Sequence, residues 1–165
     1  MTATKTPAKT PTPHKAASAA QNAIALLKAD HDAVSQLFAE YEKTHSVSNK
    51  KALVAELCTA LSVHAQIEEE IFYPAVKAAL KDKLLVPEAT IEHLGVKRLI
   101  EQLQGAEPDG EMYDAKVKVL SEYVKHHVKE EQNEMFPKAK TSSLDLVELG
   151  ARMAARKDEL LAQAA

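Results

Sequence analysis

The sequence contains no tryptophan, only 4 glycines and 1 cysteine among its 165 residues. Aromatic residues make up 4% of the chain, whereas alanine, leucine, glutamate and lysine are abundant. This composition, together with the lack of alternating β-branched runs, argues against a sheet-rich protein and favours helices. Because Cys58 has no second cysteine to pair with, an internal disulfide is excluded and a reducing compartment is favoured.

The chain also lacks a strong charge of one sign and a long apolar run. A formal net charge of −3 and an isoelectric point near 6.2 argue against a general nucleic-acid binder. No apolar stretch approaches the roughly 18 residues of a transmembrane helix, and no secretory signal is present. We therefore expect one cytoplasmic domain that binds neither nucleic acid nor membranes.

Residues 1–19 differ in composition from the remainder of the chain. They contain three lysines, three prolines and no acidic residue, with almost nothing apolar to bury. Such a segment predicts a disordered tail. Electrostatic binding to nucleic acid or lipid is the alternative, but three charges are few, and we favour a solvated tail.

From residue 21 onwards, apolar residues recur at spacings of three and four, which is the period of bundle helices. Four such stripes, separated by helix-breaking segments, predict an all-α fold with an up-down-up-down four-helix bundle over residues 20–140. Residues 141–165 predict an additional C-terminal helix that caps or flanks the bundle, or forms an oligomer interface. The four stripes are Ile24, Leu27, His31, Val34, Phe38 and Tyr41; Leu53, Leu57, Ala60, His64, Ile67 and Ile71; Ala89, His93, Val96, Ile100 and Leu103; and Tyr113, Val117, Leu120, Val124, His127 and Glu131.

Each of the four stripes has one histidine where an apolar residue is expected. A single histidine in such a stripe is usually a hydrogen-bonded core residue, but one in every helix indicates a shared role, because burying unpartnered imidazoles is costly. At about 1.5 Å rise per residue, His31 and His64 lie at nearly the same height in their neighbouring helices. The heights of His93 and His127 differ by about one helical turn. We therefore predict that four imidazoles meet in one layer: His31, His64, His93 and His127.

Two carboxylates complete this layer. Glu68 and Glu131 follow His64 and His127 by four residues, which places each pair on one helix face. Two carboxylates and four neutral imidazoles suit two divalent cations, with two histidines on each metal and both glutamates spanning them. Nitrogen and oxygen ligands without thiolate favour iron or manganese, allow zinc and do not suit calcium.

His126 and His127 are adjacent, so only one of them can face the predicted layer of imidazoles. The helical neighbours of His126 are charged, whereas those of His127 are apolar, so we predict that His127 is the ligand and that His126 lies on the surface. The nearby Glu69, Glu70, Glu130 and Glu134 are expected to face solvent, and the alternative for Glu69 or Glu134 is a contact behind the ligands.

The ordered set of motifs resembles the hemerythrin-like (HHE cation-binding) domain family. The resemblance runs from about residue 30 to residue 137, through His31, His64-x3-Glu68, His93 and His127-x3-Glu131, with repeated Phe-Tyr-Pro and Phe-Pro endings. It implies two non-haem iron ions, bridged by the two glutamates and an oxo or hydroxo species, with manganese or zinc as possible substitutes. It also implies binding of small species such as O₂, H₂O₂ or NO.

One position departs from the pattern of the oxygen-carrying members. Lys97 stands where they have a second histidine, four residues after His93. We expect its amine to point to solvent or to hydrogen-bond a bound oxygen species, which leaves the metal of His93 and His127 with an open position. We expect Tyr123 to lie at the edge of the core, and the alternative is that it reaches or shields this position. An under-ligated iron predicts rapid autoxidation and slow, catalase-like peroxide breakdown in place of reversible oxygen carriage.

Two other functions remain open from the sequence. The domain could be an iron-dependent sensing or interaction module that signals through its fifth helix or tail, or it could store iron without turnover. The sequence does not decide between these functions and an enzyme.

Overall fold

The computed structural model describes residues 21–108 and 110–165, which form five helices and no strand. The all-α fold and the additional C-terminal helix are confirmed, and the tail predicted for residues 1–19 lies outside the described residues. Two of the helices contain a π-helical turn, in which backbone hydrogen bonds span five residues. The helices are α1 (Ala23–Lys43); α2, comprising Val47–Ile67, a π-helical turn Glu68–Phe72 and Tyr73–Ala79; α3 (Leu85–Leu103); α4, comprising Glu111–Glu130, a π-helical turn Glu131–Met135 and Phe136–Lys140; and α5 (Leu146–Ala164).

Local side-chain signals set the ends of the helices. Asn22 caps α1 by accepting a hydrogen bond from the Ala25 amide at 2.8 Å, and this satisfies one of the free amides of the first turn. Asp145 caps α5 in the same way by accepting from the Glu148 amide, so this helix begins at Leu146. Gly105 follows α3 with φ of 75°, a left-handed conformation that favours glycine.

The helices pack as the apolar stripes predict, with one difference in α2. In α1, α3 and α4, every residue of the predicted stripe is buried. In α2, Val54, Cys58 and Leu61 are buried, whereas the predicted Leu53, Ala60 and Ile71 are only half-buried. The buried arc of α2 is broader because this helix packs against α1, α3 and α5 together.

The interior consists of two apolar clusters on either side of a polar layer. The first cluster includes Leu27, Phe72 and Phe136 and receives Met153 from α5. The second occupies the other end of the bundle around Phe38. The buried histidines lie along the helices at the level between these clusters, so apolar side chains enclose them from both ends.

The fifth helix flanks the bundle along α1 and α2. It approaches α1 closely at Gly150, where an added Cβ would lie 2.2 Å from the Gln21 carbonyl oxygen. Leu149 and Leu160 complete its buried face. None of the helices in the described part of the chain is long and apolar enough to cross a membrane.

Candidate metal centre

The structure brings all six sequence-predicted ligands together in the buried layer, and each is at most 7% exposed. Their donor atoms form two overlapping groups, in each of which all donor atoms lie within 4.8 Å of one another. Glu68 belongs to both groups. The first half-site consists of His31, His64, Glu68 and Glu131, and the second half-site consists of Glu68, His93 and His127.

The first half-site contains close polar atoms that are not hydrogen-bonded. His64 Nε2 lies 3.0 Å from Glu68 Oε1, and His31 Nε2 lies 3.2 Å from Glu131 Oε1. Despite these distances, none of the four atoms makes a well-aligned hydrogen bond. Leaving buried polar atoms unpartnered is costly, and a cation shared by all four atoms would satisfy them. Two imidazole nitrogens and two carboxylate oxygens make a donor set that fits a transition-metal ion.

The second half-site contains a phenol that the sequence analysis did not place there. The Tyr73 hydroxyl lies 3.0 Å from Glu68 Oε2 and 2.9 Å from Glu131 Oε2. It also lies 3.2 Å from Nε2 of both His93 and His127. The position predicted to be open beside these two histidines is therefore adjacent to the Tyr73 hydroxyl. The signal in the sequence is the Phe-Tyr-Pro motif at residues 72–74, which enters the sequence-based prediction only through the family resemblance.

A π-helical turn brings Tyr73 to this position. The Tyr73 amide donates to the Glu68 carbonyl, five residues earlier. In a regular α-helix, residues five apart point about 140° away from each other, whereas the wider turn brings them towards one face. Pro74 supports this turn, because proline lacks an amide hydrogen and its ring disfavours a regular α-helical interior.

The equivalent turn in α4 brings an aromatic residue without a hydroxyl to the other half. The Phe136 amide donates to the Glu131 carbonyl, again five residues earlier, and Pro137 follows. The Phe136 ring stacks on His31 with a centroid distance of 6.0 Å and an interplanar angle of 6°. The two half-sites therefore share the same backbone turn but differ in the side chain that it brings in, a phenol in one and an apolar phenyl ring in the other.

Each histidine has a polar partner on the side facing away from the centre. For His64, His93 and His127 this partner is a carboxylate, which accepts the Nδ1 hydrogen and leaves the Nε2 lone pair directed inward, the tautomer that a metal ligand needs. For His31 it is the side-chain amide nitrogen of Gln132, which donates to Nδ1. Of the four partners, the sequence suggests such a role only for Glu69, as an alternative to a solvated side chain, and gives no signal for Asp30, Glu92 or Gln132. The Nδ1 contacts are His64 to Asp30 at 3.1 Å, His93 to Glu69 at 3.0 Å, His127 to Glu92 at 2.6 Å, and His31 to the Gln132 amide at 3.1 Å.

Lys97 occupies a different position from either of the two that were expected. Its amine neither points freely to solvent nor faces the centre, because it lies 2.8 and 2.7 Å from the two oxygens of Glu69. Lys97 is therefore connected to His93 through the Glu69 carboxylate, which both side chains contact. Tyr123 is 49% exposed and packs over Gly95, so it neither reaches nor shields the cluster.

The remaining nearby residues lie outside the cluster. The His126 side chain is 64% exposed and pairs with Glu130 at 3.2 Å, in agreement with the predicted register. Glu134 is exposed and does not contact the histidines.

The buried charges compensate one another in the metal-free protein. Burial lowers the pKa of His64, but the charge of Glu68 and the hydrogen bond to Asp30 outweigh it and raise this pKa to about 10. Burial likewise lowers the pKa of His127, but the nearby Glu68 carboxylate, 3.9 Å away, and the hydrogen bond to Glu92 raise it to about 11. Protonated imidazoles thus neutralise the carboxylates, and a bound cation would replace these protons.

The two glutamates titrate in opposite directions. Burial opposes ionisation of Glu68, but the charge of His64 and the close imidazoles of His127 and His93 hold its pKa well below the usual value. Burial and the negative charge of Glu68 raise the pKa of Glu131. Two carboxylates this close cannot both ionise freely without positive charge between them.

A small apolar cavity adjoins the imidazoles. It has a volume of about 30 Å³, and all four ligand histidines line it. This volume matches one water-sized or diatomic molecule. Its apolar walls come from Val34, Leu61, Val96, Val124 and Val128.

Comparisons with known proteins agree with this geometry. The Hemerythrin HHE cation binding domain profile matches residues 22–139. A crystal structure of a hemerythrin HHE cation binding domain-containing protein, the Rv2633c homolog from Mycobacterium kansasii, superposes with a TM-score of 0.74 and 27% identity, covering 87% of this chain and 89% of that one.

A curated relative from Nostoc sp. (strain PCC 7120), described as a DNA nickase, is 27% identical over 111 residues. The match covers 67% of this chain but only 31% of that protein. The match of the domain profile to residues 22–139, more than half of the chain, shows that this protein belongs to the hemerythrin HHE cation-binding domain family.

Proposed function

We propose that the cluster holds two non-haem iron ions and that the protein reacts with O₂, H₂O₂ or NO. The observation that carries this proposal is the set of four buried, unpartnered donor atoms in the first half-site. The Glu68 carboxylate, whose two oxygens lie in different half-sites, would span the two ions. Manganese or zinc would fit the same donors, since none of the six ligands is a thiolate.

The apolar cavity supports small reactants in preference to larger substrates. Its volume of about 30 Å³ fits a diatomic molecule or peroxide better than an organic substrate. When bound, iron would supply Lewis-acid and redox chemistry. The valine-lined walls exclude bulk water, and the outer carboxylates hold the imidazoles in the tautomer that binds metal.

The two half-sites offer unequal room for an incoming molecule. Tyr73 places its hydroxyl beside His93 and His127, whereas Phe136 presents only an apolar ring beside His31. We therefore assign the exogenous ligand to the first half-site. This reverses the sequence-based expectation, which placed the open position beside His93 and His127.

We do not propose a DNA-nicking activity for this chain. The match to the Nostoc relative covers 31% of that protein, which leaves most of it without a counterpart here. The net charge of −3 also disfavours binding to a polyanion.

Anaerobic loading with Fe(II), followed by elemental analysis, tests the metal site. We expect two ions per chain in the wild type and a loss of bound metal in His127→Ala and Glu131→Ala. His126→Ala is the matched control, because its exposed imidazole is the chain neighbour of His127, and it should retain both ions. Equal metal loss in His126→Ala and His127→Ala would contradict the assigned register.

Adding O₂ or H₂O₂ to the loaded protein, with optical detection, tests the reactivity. We expect rapid autoxidation on exposure to air and slow consumption of H₂O₂, with zinc-loaded protein as the redox-inactive control. An oxygenated spectrum that reverses under vacuum, without peroxide turnover, would establish oxygen carriage instead. An iron-loaded protein inert to both O₂ and H₂O₂ would favour storage or sensing.

A further inference from the structure

The buried face of α5 contains a lysine in an otherwise apolar stripe. Lys157 lies four residues after Met153 and three before Leu160, both of which are buried. This is the spacing of one helix face. Burying part of an ammonium group is unfavourable unless an opposite charge pairs with it.

Lys157 is paired with a carboxylate that contacts a predicted metal ligand. Its amine contacts Asp30 Oδ1, and the Asp30 side chain is only 12% exposed. The other oxygen, Oδ2, lies 3.1 Å from His64 Nδ1. A continuous series of contacts therefore runs from α5 through α1 to the first half-site.

We propose that Lys157 is a positioning residue for the first half-site. By holding one oxygen of Asp30, it orients the other to accept the Nδ1 hydrogen of His64, so that the His64 Nε2 lone pair faces the metal. This inference rests on the proposed metal binding. It also means that the site depends on a helix outside residues 22–139, the segment that matches the family profile.

A similar arrangement in the second half-site supports the assignment. Lys97 holds both oxygens of Glu69, and Glu69 Oε1 contacts His93 Nδ1 at 3.0 Å. Each half-site thus has one ligand histidine oriented by a carboxylate that a lysine holds in place. Without the lysine, a partly exposed carboxylate gains rotational freedom and water partners, and its orienting contact weakens.

The neighbouring Arg156 provides a matched control. It also joins α5 to α2, through a two-pronged pair with Glu70 at 2.7 and 3.1 Å. Glu70 pairs with Arg156 and Gln66 and lies outside the metal cluster. Arg156→Met therefore removes an ion pair that docks the same helix without altering a contact to a ligand.

The experiment is an anaerobic titration of wild type, Lys157→Met, Lys157→Arg and Arg156→Met with Co(II). Visible absorption reports ligand geometry, chelator competition reports affinity, and thermal denaturation reports the docking of α5. We expect Lys157→Met to lower the affinity for one of the two ions about tenfold. This is the lower end of the effect of removing a residue that hydrogen-bonds a metal ligand from behind. The absorption band of this variant should change, whereas Lys157→Arg should restore both properties and Arg156→Met should match the wild type.

The possible results distinguish a failure of the Lys157 inference from a failure of the proposed metal binding. If wild type binds two ions and Lys157→Met matches Arg156→Met in affinity and spectrum, Lys157 only docks the helix and the inference is wrong. If Lys157→Arg fails to restore the affinity and the spectrum while the protein remains folded, the positioning role is also overturned. If wild type binds no Co(II) or Fe(II), the proposed function fails, and this inference fails with it.

Discussion

At the residue scale, Tyr73 most clearly distinguishes the two halves of the centre. It is only 2% exposed, and its hydroxyl lies between two buried carboxylates. Burial and the charges of Glu68 and Glu131 raise the pKa of the phenol well above its usual value, so it remains a hydrogen-bond donor in the metal-free protein. Without this hydroxyl, Glu68 and Glu131 would lose a hydrogen-bond donor.

Removal of this hydroxyl should destabilise the metal-free protein. We expect Tyr73→Phe to lower the free energy of unfolding by about 1–3 kcal/mol, because a buried carboxylate loses its donor while the ring is retained. Urea denaturation after chelator treatment measures the effect.

Tyr41→Phe is the control for the Tyr73 prediction. The Tyr41 hydroxyl donates to Asp114 at 2.6 Å, but the Asp114 side chain is 51% exposed and water can replace the lost donor. We expect a cost below about 1 kcal/mol for this change. Equal costs for the two variants would show that the Tyr73 hydroxyl does not support the buried carboxylates.

At the element scale, the two π-helical turns explain why the repeated motif extends beyond its histidine and glutamate. The pattern is His-x3-Glu-x4-aromatic-Pro in both α2 and α4. Five-residue backbone hydrogen bonds turn the aromatic residue towards the face of the glutamate, as Tyr73 and Phe136 show. The turn therefore selects which aromatic residue contacts the site, and the proline favours the turn.

The docking of α5 on α1 gives a prediction at the same scale. A Cβ at Gly150 would lie 2.2 Å from Gln21 O and 2.7 Å from Ala23 N, and both atoms are backbone. We expect Gly150→Ala to destabilise the protein by about 1–3 kcal/mol, because the helices must move apart. Thermal or urea denaturation measures the change.

Gly95→Ala is the matched comparison for the docking of α5. Its Cβ would meet only the Tyr123 side chain at 3.4 Å, an ordinary contact. Replacing glycine by alanine in a helix should then stabilise by about 0.5–1 kcal/mol. If both substitutions stabilise, the close approach of α5 to α1 is not required for folding.

At the scale of the whole molecule, the helical period of the sequence predicts which side chains of each helix are buried. It does not predict burial or hydrogen bonds that depend on how different helices pack together. The stripes of α1, α3 and α4 and the meeting of six polar residues follow from spacing alone. The wider buried arc of α2 does not, because it depends on α5 covering a further side. Partners such as Asp30, Glu92 and Gln132 were not predicted either, because each reaches a histidine on another helix.

The polar layer between the two apolar clusters makes the stability of the whole bundle depend on what occupies it. Without metal, Glu68 and Glu131 are 0% and 2% exposed, and protonated histidines must balance their charge. Burying such ion pairs carries a desolvation cost that their attraction only partly offsets. Metal ions bound to the folded state alone would replace these protons and stabilise the fold by mass action.

Loading with metal should therefore raise the melting temperature clearly. At free metal a thousandfold above Kd, one site contributes about 4 kcal/mol, and each kcal/mol shifts Tm by about 2–4 °C for a domain of this size. We expect Fe(II), under anaerobic conditions, or Zn(II) to raise Tm by about 10 °C or more relative to chelator-treated protein. Ca(II) at the same concentration is the control ion, because imidazole donors do not suit it, and it should leave Tm unchanged. If Fe(II) and Zn(II) leave Tm at the metal-free value, or if Ca(II) raises it equally, the ions do not bind in the buried layer.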